Sequence, residues 1–108
     1  MKVLFAPTAK LDLREIGQRI RAENPARAIS FINELVDRCL SLAQLPRRYP
    51  VVPRYEHSGI RRAIHGEYLI FYRVCPESVD IVHVLRGARD YEAILFPDAK
   101  EEGGEGES

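Results

Sequence analysis

The chain has 108 residues, 45% of them hydrophobic, enough for one small buried core. No apolar run approaches the roughly 18–20 residues of a membrane-spanning helix. The opening "MKVLFAPTAKLDLREIG" has only a four-residue apolar run before its charges, too short for a signal peptide, so a cytoplasmic location is expected. The formal net charge of zero hides an asymmetry: the end of the chain, "KEEGGEGES", holds four Glu and one Lys, leaving +3 on residues 1–99.

"KVLFA" (2–6) reads as a first strand stopped by Pro7. Thr8 is a candidate N-cap for a helix in which Leu13, Ile16 and Ile20 recur at helical spacing. Asn24-Pro25 restarts the helix, Asn as cap and Pro as first residue. The second helix, about 25–45, carries a stripe of Ala28, Ile32, Leu35, Cys39 and Leu42. Ile29, Val36, Leu40 and Ala43 widen that stripe, which predicts apolar contact on two sides. With so short a connection the two helices should form an antiparallel hairpin.

"PRRYPVVPRYEHSG" (46–59) is a long loop with three Pro and one Gly. Strands follow at 60–65, 68–74 and 79–86, separated by "GE" and "CPES", which predicts antiparallel hairpins. Alternation in the last strand puts Val79, Ile81, His83 and Leu85 on one face, both faces being partly apolar, so this strand is expected to be central. "YEAILFP" (91–97) is a short strand or a turn of helix. The fold class is α+β: a helical hairpin packed on one face of a mainly antiparallel sheet, in the order β-α-α-β-β-β. Residues 1–97 are expected to form a single domain and 98–108 a disordered acidic tail. The second sheet face and the 46–59 loop are expected to remain open for function.

Thirteen of the 16 basic residues are Arg, and residues 47–73 alone hold six of them (Arg47, Arg48, Arg54, Arg61, Arg62, Arg73) against Glu56 and Glu67. Arg forks onto carboxylate or phosphate where Lys acts as a point charge. Arg61, Arg73, Arg86, Arg89 and Tyr91 lie in or just beyond the strands. On one surface they would hold a phosphodiester and stack a base, or pair with an acidic peptide added to a sheet edge. Alternatively, they simply blunt that edge. Cys39 and Cys75 lack zinc-like spacing and read as structural thiols. His57, His65 and His83 lack metal-ligand spacing, so no metal is expected. His83 reads as a satisfied core residue. Ser-His-Asp, P-loop and GxGxxG patterns are absent, and no cofactor is implied.

The β-α-α-β-β-β order, "LDLREIGQRIRAENPARAISFINEL", "RR…HGEYLIFYRV" and "VDIVHVLRGARDYE" together resemble the RelE/ParE superfamily of toxins of bacterial type II toxin–antitoxin systems, over roughly residues 2–97. The resemblance implies a toxin associated with growth arrest and plasmid stabilisation. It implies a cognate antitoxin whose C-terminal segment wraps and neutralises the toxin, with operator DNA reached only through that antitoxin. Two branches share the fold and differ in target. The RelE branch resembles a ribosome-dependent mRNA endoribonuclease, and Arg73, Arg89 and Tyr91 match its strand arginine, late arginine and C-terminal tyrosine, with Arg61 nearby. Its pair of lysines is missing; Arg54, Arg61 and Arg62 stand in that region, and Arg is the poorer proton shuttle. "LIFYRV…VLRGARD" is more similar to the ParE branch, inhibitors of DNA gyrase that need no hydrolytic site. On that reading Arg47, Arg48, Arg54, Arg61, Arg62, Arg73 and Arg86 form an antitoxin- or target-binding surface. Gly87, Arg86, Arg89 and Asp90 are expected to pin the strand exit.

Overall fold

The computed structural model describes residues 1–98; residues 99–108, and with them nearly all of the expected tail, lie outside the described residues. The chain order is β1 (Lys2–Phe5), α1 (Pro7–Glu23), α2 (Pro25–Ser41), β2 (Ile60–His65), β3 (Tyr68–Val74), β4 (Ser78–Arg86) and α3 (Tyr91–Leu95). The four strands form one mixed sheet in the order β1-β4-β3-β2. β2, β3 and β4 are joined as antiparallel hairpins, while β1 pairs parallel to β4. β4 is therefore central, as its two partly apolar faces require. Gly66, in the two-residue β2–β3 turn, has φ 60°, which a Cβ disfavours.

The helical hairpin is as the sequence predicts. Asn24 closes α1 and caps α2, its side chain accepting from the Arg27 amide, with Pro25 in the first turn. Gly17 sits where α1 meets α2: a Cβ there would come 3.4 Å from Ile32 Cγ1, so glycine permits the close approach. Thr8 is not the cap of α1. Ala6 holds that position, with Pro7 already in the helix. α2 stops at Ser41, and Leu42, expected within the helix, is its buried C-cap.

Two apolar clusters flank the sheet. Ala9, Ile16, Leu35, Cys39 and Leu42 pack on Ile70, Tyr72, Val79, Ile81 and Val84 between helices and sheet. On the other side Val52, Ile60, Phe71 and Leu85 are covered by Tyr55, Tyr91, Ile94, Leu95 and Phe96. The second face, expected to be open, is thus closed by the loop before β2 and by α3. Tyr55 and Phe96 stack with ring centroids 3.9 Å apart.

The simple alternation expected in β4 also fails. Tyr72 pairs with Ile81 but Phe71 pairs with His83, leaving Val82 as an extra residue. Beyond this bulge Val84, not His83, joins Val79 and Ile81 on the helix side, and Leu85 turns to the opposite cluster. α1 holds the bulge in place. Thr8 Oγ1 donates to the Val82 carbonyl (2.6 Å), and Asp12 Oδ2 accepts from the Val84 amide (2.9 Å) and meets His83 Nδ1 at 2.6 Å. Where β1 ends, side chains of α1 thus take over the pairing of the β4 edge.

Candidate functional site

The strand residues proposed as a site divide between the two faces of the sheet. Arg61 pairs with Tyr72 and Arg62 with Phe71, and Tyr72 and Phe71 belong to opposite clusters. Arg61 therefore lies on the helix side, where its guanidinium donates to the carbonyls of Tyr49 (2.6 Å) and Arg47 (3.2 Å). It anchors the loop entering β2. Arg62 lies on the other side and donates to the Tyr91 hydroxyl (2.8 Å).

Arg73 shares the Arg62 side and donates to the Ser58 carbonyl (3.2 Å). One guanidinium nitrogen of Arg54 donates to both oxygens of Glu92, at 2.7 and 2.8 Å, and that pairing raises the pKa of its guanidinium. Arg54 reaches Glu92 from a backbone with φ 72°, a conformation costly for a residue with a Cβ. Arg86 makes only a loose contact with Glu67 (3.7 Å) and lines, with Arg19 and Arg89, a cleft of about 230 Å³ floored by Tyr68. Asp90 caps α3 through the Ala93 amide (3.3 Å), a role that an Asp ahead of a short apolar helix signals. The Gly87 amide donates to Glu67 O and the Arg89 amide to Arg86 O, closing the turn after β4.

Metal-free phosphodiester cleavage requires a base and an acid on either side of one phosphate, with cations for the developing charge. Around Tyr91 lie the Arg62 guanidinium and the Phe71 ring, 5.1 Å centroid to centroid, with Arg54 near enough to interact electrostatically. Arg61 is absent from that group, and Arg54 and Arg73 already bind a carboxylate and a carbonyl. The Tyr91 ring packs on Phe71, and its hydroxyl accepts from Arg62. Among the described residues no cluster of His, Cys, Asp and Glu could hold a metal.

The sequence reading missed Arg38 and Tyr49. Arg38 NH2 donates to the Tyr49 hydroxyl (2.6 Å), and the Arg38 and Arg48 guanidinium carbons lie 5.0 and 5.7 Å from the Tyr49 ring centre. The hydrogen bond from Arg38 lowers the pKa of the Tyr49 phenol, outweighing the opposing effect of desolvation, with lesser help from the charges of Arg38 and Arg48. Arg47 and Arg48 flank this group in the turn after α2. A separate groove of about 620 Å³ runs along the hairpin between Leu13, Gly17, Ala28, Ile29 and Ile32, with Arg14 and Arg21 beside it. Of the expected second stripe of α2, Val36 and Ala43 are partly buried, while Ile29 and Leu40 remain 68% and 47% exposed.

Among solved structures the fold is similar to a chain of the chromosomal ParDE toxin–antitoxin system from P. aeruginosa. The TM-score is 0.69 at 20% identity, covering 80% of this chain and 95% of that one. It is also similar to a chain of the toxin–antitoxin complex RelBE2 from Mycobacterium tuberculosis. There the TM-score is 0.59 at 27% identity, covering 82% of this chain and 92% of that one. None of the curated proteins compared with the sequence matches it. The family model described as the ParE toxin of the type II toxin–antitoxin system parDE matches residues 3–91. With that match spanning both helices and all four strands, the chain belongs to the ParE family of toxins, within the RelE/ParE superfamily.

Proposed function

We propose that the chain is a toxin that acts in the cytoplasm by binding and inhibiting DNA gyrase, and that a cognate antitoxin keeps it silent. The observation that carries this reading is the separation of Arg61 from Arg62, Arg73 and Tyr91 by the alternation of β2. The guanidinium groups of Arg54, Arg61, Arg62 and Arg73 are each engaged within the protein, by Glu92, the Tyr49 carbonyl, the Tyr91 hydroxyl and the Ser58 carbonyl. Such an arrangement suits a binding protein better than a ribonuclease. The groove along the helical hairpin supports the antitoxin part of the reading. An amphipathic helix with acidic flanks would cover Ile29 and Ile32 and meet Arg14 and Arg21.

The ribonuclease reading retains one favourable contact, Arg62 to Tyr91 at 2.8 Å. Two measurements separate the readings. Inducing the chain without antitoxin should arrest growth with messages intact on 5′-end mapping, and the purified chain should inhibit gyrase supercoiling. New message ends at codon-phased positions, lost in Tyr91→Phe, would replace gyrase inhibition with RNA cleavage.

A further inference from the structure

We propose that the pocket between the end of α2 and Tyr49 is a binding site for a backbone phosphate of a nucleic acid. The pocket holds about 120 Å³ and is lined by Arg38, Ser41, Gln44, Arg48 and Tyr49 together with two leucines. No carboxylate lines it, and none of the ion pairs among the described residues involves Arg38, Arg47, Arg48 or Arg61. Arg38 and Arg48 thus line the pocket with no neutralising acid beside them, while Arg61, held by the Tyr49 and Arg47 carbonyls, braces the loop from below.

The corner is also preorganised. Arg61 fixes the Tyr49 carbonyl and Arg38 fixes its hydroxyl, each at 2.6 Å. Arg38 is further tied to the Ile64 carbonyl at 3.5 Å, and Tyr72 donates to the Pro46 carbonyl at 2.7 Å. Arg38 and Tyr49 are therefore held before an anion arrives, while the exposed Arg48 and Gln44 side chains are ordered on binding. Arg48, Gln44, Ser41 and Arg38 line one pocket, so donors from several side chains are available to one anion. That suits a tetrahedral oxyanion with several acceptor oxygens better than a planar carboxylate. The lowered pKa of the Tyr49 phenol points the same way, because the field that favours a phenolate also favours an added anion.

This site lies on the helix side of the sheet, away from Tyr91, and its occupancy does not depend on whether gyrase is the target. The test therefore uses the full chain alone. Fluorescence anisotropy at low salt would follow binding to labelled duplex DNA and to labelled single-stranded RNA of mixed sequence, with polyglutamate as competitor. Binding to either nucleic acid should weaken roughly fivefold to tenfold in Arg48→Gln, and the slope of log K against log salt should fall by about one. Arg48→Lys should recover part of the affinity, since the charge returns without the fork. Lys2→Gln with Lys10→Gln, a larger charge change elsewhere on the surface, should leave the affinity within twofold. The arm that binds more tightly identifies the source of the phosphate. The assignment is overturned if neither nucleic acid binds, if the lysine pair matters as much as Arg48, or if polyglutamate binds more tightly through Arg48. The last result would make the pocket a seat for an acidic peptide. Failure of gyrase inhibition with nucleic-acid binding intact would remove the proposed target and leave this site standing.

Discussion

Tyr72 shows how one side chain connects core and surface in this protein. Its ring is fully buried between helices and sheet, and its hydroxyl donates to the Pro46 carbonyl at 2.7 Å. Desolvation raises the pKa of that phenol, so it remains a donor across the physiological range. Tyr72→Phe should cost about 1–3 kcal/mol in chemical denaturation, the range for a half-buried carbonyl left without its donor. Loosening of the 46–49 turn should accompany it, read as faster amide exchange there. The two cysteines differ in the same physical terms. Burial pushes the Cys39 thiol up to about 12, while Cys75 is raised mainly by its hydrogen bond to Asp80 and is only partly covered. In the native protein a thiol reagent at pH 8 should modify Cys75 well before Cys39; equal rates would contradict the packing around α2.

The behaviour of β4 is decided at the scale of the element. Its bulge at Val82 exists because α1 supplies what β1 no longer can: an acceptor for the Val84 amide and a donor for the Val82 carbonyl. Asp12→Ala would leave the Val84 amide and His83 Nδ1 without that partner. A loss of about 1–3 kcal/mol is expected, measured as a shift in the urea midpoint at constant slope. Asp12→Asn, which can still accept from the amide, should cost less. Strand alternation was readable for β3, where Tyr68, Ile70 and Tyr72 face the helices and Leu69 and Phe71 face away. It was not readable for β4. A bulge is set by what packs on the neighbouring edge, and that edge is formed by residues more than seventy positions away in the chain.

At the scale of the whole molecule, burial of Cys39 links stability to alkaline pH. The folded state keeps the thiol neutral up to about 12, whereas the unfolded chain ionises it around its ordinary pKa of 9.0. The unfolded state therefore binds fewer protons between those values, and stability falls as pH rises through that window, by up to about 1.4 kcal/mol per pH unit. The stability advantage of the wild type over Cys39→Ala should shrink by about 1.5 kcal/mol between pH 9 and pH 10.5, and a constant gap would refute this origin. The same scale governs the binding surfaces. The wide stripe on α2 predicted contact with a helix and with the sheet; α1 and the sheet supply both, and Ile29 stays exposed beside the groove.

The sequence by itself determined the elements and the family. Helical spacing, the Asn24-Pro25 restart, the turn residues and period-two runs are local properties that each segment carries alone. The central place of the last strand and the toxin family were likewise legible, from the apolar residues on both faces of that strand and from motifs in their order. Tertiary structure alone decided which arginines act together. Residues adjacent in a strand face opposite ways, so Arg61 and Arg62 entered different environments, and Arg38 joined Arg48 at Tyr49 across a turn no spacing rule anticipates. It also decided that α3 and the loop before β2 close the second sheet face, because their few apolar residues find burial only against the assembled sheet.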